Sequence, residues 1–404
     1  MILEIILALA IGIACGTFTG LMPGIHINLI AAFLLSSLGY FSSIPLISLA
    51  IFIVAMSITH VFIDFIPSIY LGAPDDENFL SILPGHKMLK QGKAHEAFVF
   101  TLYGGLTAIP IILIFTPVFI WFLPGLFAII KSIMPFLLIF ISLYLILREE
   151  NTLNAVIVFF LAGFLGYLTF NLPIKQPLMP LLSGLFGLSS LFISLKQKPK
   201  INKQKIISLK EIKLPKKDLI KSTLSAAISS PLCSFLPGIG SGHAAVLASE
   251  ISNKNENKNP KSFLFMLGII NTVVMSLSFV TAYAIQKTRT GSAVAVRTLL
   301  KQISFNNLLI ILAVIIVACI AAFFLGIYLS KLTSRFINKI NYTYLTIIII
   351  TIILMFNMVF SNFFGFIVLL IASCLGLFTI LSNSRRINMM GSLILPSIAY
   401  YLLN

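Results

Sequence analysis

The chain has 404 residues, of which 58% are hydrophobic and 10% are charged. Soluble domains are about half apolar and about a quarter charged, so this composition excludes a soluble enzyme, a disordered tail and a disulfide-stapled secreted domain. The net charge is +16, and ten lysines between Lys196 and Lys221 face only Glu211 and Asp218. No aromatic residue interleaves with that run, so it offers nucleic acid no stacking platform. It reads instead as a cytoplasmic loop obeying the positive-inside rule.

In lipid the backbone must satisfy its own hydrogen bonds, which leaves helices or closed barrels. The apolar runs here are continuous and about 20 residues long, unlike the alternating segments of about ten that build barrels. The expected fold is therefore an all-α polytopic membrane protein. In chain order the predicted apolar segments are 2–22, 25–40, 44–70, 96–129, 132–147, 152–171 and 177–195. After the Lys-rich linker come 219–236, 240–252, 262–285, 303–330, 341–360, 363–382 and 387–403. The first run has no A-x-A-like cleavage site and continues into the second, so it reads as mature protein. Cys15, Cys233, Cys319 and Cys374 lie in apolar segments without CxxC spacing and read as small core residues.

Two segments are short for a hydrocarbon core about 30 Å thick: 25–40 and 240–252. Each follows a Pro-Gly break. The first reads Leu21-Met22-Pro23-Gly24-Ile25-His26-Ile27-Asn28, the second Phe235-Leu236-Pro237-Gly238-Ile239-Gly240-Ser241-Gly242-His243. They align at an offset of 214 residues, and the same offset sets Gly72–Asp76 against Gln286–Thr290. An internal repeat of this kind predicts two membrane halves, 1–195 and 219–404, joined by a cytoplasmic linker at 196–218. If each Pro-Gly pair is a hairpin that enters and leaves on one side, each half holds one hairpin plus five spans. Five is odd, so the halves are inverted. Lys287, Arg289, Arg297 and Lys301 then fall on the outer side, either against the charge rule or on a loop that dips into the protein.

Inverted repeats with helices broken in the membrane predict a transporter whose site lies near the midplane, between the breaks. A broken helix exposes unpaired N–H groups that favour anions, and Gly24, Gly238, Gly240 and Gly242 allow close approach to the backbone. The candidate substrate-binding set is Pro23, Gly24, His26, Asn28, Pro237, Gly238, Gly240, Ser241, Gly242, His243 and Arg289. The plainer alternative is a pair of turns whose polar side chains serve the broken backbone. His60 and Asp64 share one helical face inside an apolar span. They are candidates, with Asn271 and Thr272, for coupling transport to a proton or sodium gradient. Structural pairing between helices is the alternative. Glu250 and the cluster Asp75-Asp76-Glu77 read as span-end groups near water. No H-E-x-x-H motif or third ligand accompanies His60 and Asp64, so no metal or other cofactor is expected.

On these residues the chain resembles the large membrane subunit of tripartite tricarboxylate transporters, the TctA family, in its shorter archaeal form. Pro23-Gly24 and Pro237-Gly238-Ile239-Gly240 look like that family's PG-x-G repeats. Leu83-Pro84-Gly85-His86-Lys87-Met88-Leu89-Lys90-Gln91-Gly92-Lys93-Ala94 looks like its L-D-G-x-P-x-x-x-x-G-x-A loop, with Tyr103-Gly104-Gly105 following. Pro84 departs from the family's Asp, and His26 from its Gly. The resemblance implies uptake of carboxylate anions driven by an ion gradient in the cell membrane, with a small membrane subunit and an extracytoplasmic binding protein as partners. Membrane lipid and a small organic anion complete the expected partners, and a homo-oligomer is left open. The competing reading is a translocase for a lipid-linked phosphate such as polyprenyl phosphate. An intramembrane enzyme is disfavoured, because no nucleophile motif accompanies His60 and Asp64.

Overall fold

The computed structural model describes residues 2–22, 44–72, 79–149, 151–174, 176–197, 202–236, 240–254, 259–288, 290–337 and 342–403. Every regular element among them is helical, and seven helical runs are long and apolar enough to cross a membrane. The chain is a multi-pass membrane protein.

Helix α1 (Ile2–Leu21) packs on α2 (Leu46–Ile63) through Gly12, Gly16 and Gly20, which recur every four residues and so line one face. Small residues at this spacing let backbones meet where lipid provides no hydrophobic drive between helices. A Cβ on Gly12 would lie 2.6 Å from the Phe52 carbonyl oxygen, and one on Gly20 would lie 2.9 Å from the Ile63 Cβ. Gly16 sits between these, against Met56 and Thr59. The contact points advance together along both helices, so α1 and α2 are parallel and start at the same face. Past Asp64, α2 ends in a π-helical turn, Pro67–Leu71.

The short α3 (Ile82–Lys90) leads into α4 (Ala94–Leu147), a run of 54 residues. Such a run cannot be straight. Glu96 pairs with Lys261 and Arg148 pairs with Glu250, so both ends of α4 lie on one face. Its middle lies at the opposite face, where the Lys287 ammonium sits 5.3 Å from the Phe127 ring centroid. The prolines at 110, 117, 124 and 135 supply the bends, since each removes a backbone donor and clashes with the preceding turn. The two predicted spans 96–129 and 132–147 are thus two passes of one bent helical run. Helix α5 (Thr152–Asn171) crosses again, and α6 (Leu178–Leu182) runs through a wide π-helical turn into α7 (Ser189–Gln197).

The linker that follows is docked on the protein. The Gln204 side chain accepts from the Ala94 backbone N–H (3.0 Å) and donates to the Leu89 carbonyl (2.9 Å), and Ile212 is buried. Helix α8 (Lys216–Phe235) and the 12-residue α9 (Ser241–Ser252) form the second hairpin. Asp218, in the first turn of α8, pairs with Lys254, just past α9, at 2.8 Å, so the hairpin starts and ends at the Lys-rich face. At 1.5 Å per residue α9 is about 18 Å long, so Ser241 begins well inside a core about 30 Å thick.

Helix α10 (Pro260–Ala284) is buried at every residue from Ser262 to Ala282 and forms the axis of the molecule. It crosses α4 backbone to backbone: a Cβ on Gly268 would overlap the Thr101 carbonyl, and one on Gly104 would lie 2.9 Å from the Ile269 nitrogen. Helix α11 (Gly291–Leu300) leads to α12 (Phe305–Ile337) and α13 (Tyr342–Leu381). Helix α13 is two helices meeting at Asn362 (φ 59°, ψ −172°), where the predicted spans 341–360 and 363–382 part. Helix α14 (Gly391–Leu403) packs on α5.

Helix boundaries recur at the offset of the two Pro-Gly breaks. Helices α1 and α8 are each 20 residues long and begin 214 residues apart, as do the starts of α2 and α10. Gly12, Gly16 and Gly20 fall on Ala226, Ser230 and Ser234, all buried, so α1 and α8 carry small-residue stripes at matching positions.

Candidate functional site

Around the first break the structure describes one wall. His60 and Asp64, on consecutive turns of α2, are both buried, with His60 Nε2 3.9 Å from Asp64 Oδ2. That is an ion-pair separation, longer than a hydrogen bond. The other ring nitrogen, Nδ1, is 2.9 Å from the Thr19 hydroxyl, near the end of α1. The predicted His60–Asp64 face therefore exists and abuts the helix that leads to the break. Pro23, Gly24, His26 and Asn28 lie outside the described residues, as do Asp75, Asp76 and Glu77.

At the second break, Pro237 and Gly238 are outside the described residues, and the helix after them is well defined. Gly240, in extended conformation, caps α9, and its N–H donates to His243 Nδ1 at 3.1 Å. His243 thus serves the broken backbone with one ring nitrogen. Ser241, Gly242 and His243 are all buried. This leaves a polar helix start enclosed at membrane depth, where the helix dipole favours an anion.

Asn271 and Thr272 lie three turns into α10. The Thr272 hydroxyl donates to the Gly268 carbonyl at 2.9 Å and is used within its own helix. Asn271 is fully buried, and neither its amide oxygen nor its nitrogen has a hydrogen-bond partner among the described residues. Such a group costs about 1–3 kcal/mol. The two coupling candidates approach one stretch of α4. Phe62, between His60 and Asp64, packs its ring on Gly105, and the adjacent Gly104 packs on Gly268, one turn before Asn271.

The loop carrying the wrong-side basic residues dips inward. The Thr288 hydroxyl donates to the Ser278 carbonyl at 3.2 Å, and the Ser292 hydroxyl lies 3.5 Å from the Met275 sulfur, although the chain left α10 later, at Ala284. Arg289, within this dip, is outside the described residues. Glu250 is paired with Arg148 and lies 4.0 Å from Arg385, which makes it a tie between helix ends.

Sequence reading missed a polar knot that joins the turn after α2, the start of α4 and the end of α12. The Tyr70 hydroxyl is 2.9 Å from Ser330 Oγ and 2.7 Å from Ser334 Oγ, and His95 Nδ1 is 2.9 Å from Ser330 Oγ. Its one local signal is Ser330 and Ser334 at i, i+4 near the end of an apolar helix. Their partners are more than 230 residues away and carry no such mark.

The family model for the tripartite tricarboxylate transporter TctA family matches residues 6–391. The chain belongs to the TctA family. An uncharacterized protein of Methanocaldococcus jannaschii is 33% identical over 409 residues, covering 98% of this chain and 99% of that protein. No solved structure matches the chain. Membership in the TctA family makes the chain a membrane component of the tripartite tricarboxylate transporter type and does not favour lipid-linked phosphate as cargo. TctA is a transporter family, and this TctA member packs α8, α9 and the helix bearing the His60–Asp64 pair around the enclosed α10, which carries the buried Asn271.

Proposed function

We propose that this protein is the permease of an uptake system for organic anions, most simply carboxylates, driven by a sodium or proton gradient across the cell membrane. The observation that supports the reading is the opposed direction of α1 and α8, the helices that lead to the two Pro-Gly motifs. Helices α1 and α2 start together at the face opposite the Lys-rich one, and α8 and α9 start and finish at the Lys-rich face. Helices that approach the two Pro-Gly motifs from opposite faces suit inverted repeats, 1–195 and 219–404, that rock around a shared site. In this arrangement the Lys-rich face is cytoplasmic. Gly240, Ser241, Gly242 and His243, with Pro23, Gly24, His26, Asn28, Pro237, Gly238 and Arg289, bind the anion. The amide oxygen of Asn271 and the carboxylate of Asp64 hold the coupling cation, with His60 oriented by Thr19. A small membrane subunit and an extracytoplasmic binding protein are the family's expected partners.

The test is uptake of labelled succinate and citrate into proteoliposomes with an imposed sodium or proton gradient. Accumulation should follow one gradient and collapse with the matching ionophore. Equal uptake with and without both gradients would remove ion coupling.

A further inference from the structure

We propose that the mouth formed by the end of α10 and the end of α11 is a binding site for a small oxyanion bearing two or more negative charges, separate from the break region. A cavity of about 300 Å³ opens there, lined by Tyr283, Gln286, Arg297, Lys301, Gln302 and Ile303 among others, with no acidic residue in its wall. That volume is at the low end for small-ligand pockets.

Three observations converge on it. First, its two cations are uncompensated: neither Arg297 nor Lys301 makes an ion pair or hydrogen bond among the described residues. At the Lys-rich face, by contrast, acidic partners are at hand for some of the cations, with Lys254 on Asp218, Lys261 on Glu96, and Arg148 and Arg385 on Glu250. Second, backbone strain is concentrated here. Of the five non-glycine residues with positive φ among the described residues, Gln286 (φ 52°) and Lys301 (φ 55°, ψ −55°) both line this cavity. Unfavourable backbone of this kind persists where the surroundings enforce it and gathers at ligand sites. Third, the donor set suits a multivalent oxyanion. A guanidinium presents a planar fork, an ammonium a mobile point charge, and the Gln286 and Gln302 amides add neutral donors. A concave basic mouth without counter-ions raises the local anion concentration.

The site is read by binding alone, so it stands or falls independently of the uptake assay. In the full chain, Gln302→Cys places a thiol in the cavity wall. Wild-type protein reports labelling of the four native cysteines. The rate with an anionic methanethiosulfonate (sulfonatoethyl) is compared with that of a cationic one (trimethylammonium-ethyl), each normalised to a free thiol. The anionic reagent should be favoured about tenfold, the lower end of electrostatic focusing. Arg297→Gln with Lys301→Gln should abolish that preference, and the charge-retaining pair Arg297→Lys with Lys301→Arg should keep it. Millimolar citrate should slow labelling in zwitterionic nanodiscs, and acetate should not. Protection that appears only with phosphatidylglycerol in the nanodisc supports the same chemistry on a lipid headgroup. Protection by neither anion source, or a charge preference unchanged in the double Gln variant, overturns the proposal.

Discussion

The backbone crossing of α10 and α4 gives a sharp test of the packing. At Gly268 the backbones of α10 and α4 touch, and an added Cβ would overlap the Thr101 carbonyl oxygen and lie 2.8 Å from its carbon and 3.0 Å from the Thr101 Cα. All three atoms are backbone, so no side chain can swing away. Ordinary contact begins near 3.4 Å; the carbon alone asks for about 0.6 Å and the nearer oxygen for more, and a gap of about 0.5–1 Å already forfeits a quarter to a half of the local dispersion energy. Overpacking of this kind costs about 1–3 kcal/mol, against a helix-propensity gain of up to about 1 kcal/mol for Gly→Ala. Gly268→Ala should therefore be destabilised by about 1–2 kcal/mol. Gly125→Ala is the control: its Cβ meets nothing within 4 Å, so it should be neutral or slightly stabilising. Equilibrium unfolding in mixed SDS and mild detergent measures both. Wild-type stability in Gly268→Ala would refute the close crossing.

Three further outcomes are expected. Asp64→Asn should abolish gradient-driven uptake while leaving the unfolding midpoint near wild type, and normal coupled uptake would remove Asp64 from the mechanism. His86 is held near about 4 by burial, with Lys90 and Arg386 adding repulsion. Its unfolded value is about 6.5. A folded value below the unfolded one means the unfolded state takes the proton first. Stability is then complete above about pH 6.5 and falls as the pH drops toward 4, by about 2 kcal/mol at pH 5. The same unfolding titration at pH 7 and pH 5 should show this, and His86→Gln should flatten it. Asn362 holds a conformation natural only to glycine while its side chain donates to the Pro173 carbonyl at 2.7 Å and accepts from the Gly365 N–H at 3.3 Å. Asn362→Gly trades those bonds for relief of strain and should stay within about 1 kcal/mol of wild type. Asn362→Ala loses the bonds and keeps the strain, so it should be about 1–2 kcal/mol worse than Gly.

Much of this architecture is legible in the sequence because lipid admits few solutions. Continuous apolar runs give α1, α5 and the two arms of α13 nearly to the residue, and the short α9 follows from its Pro-Gly break. The small-residue stripes at Gly12, Gly16, Gly20 and at Ala226, Ser230, Ser234 are visible at spacing four, and hydropathy alone passes over them because glycine and serine barely change its mean. What stays hidden is pairing over long separations. Nothing local to Arg148 points to Glu250, and nothing in the Lys-rich run shows that Gln204 would pin it to α4. For the same reason the sequence shows four basic residues on the wrong side but cannot show that Arg297 and Lys301 share a cavity.

The prolines of α4 carry a directional instruction. Residues 110, 117 and 124 are seven apart, and seven residues at 3.6 per turn bring a side chain round to within about 20° of where it began. The three kinks therefore tip the axis toward nearly the same compass point, and their angles add. Moving the middle proline by a single position would swing its kink by about 100°, turning a planar arc into a corkscrew. The spacing thus steers the far arm of α4 back to the face where Arg148 meets Glu250.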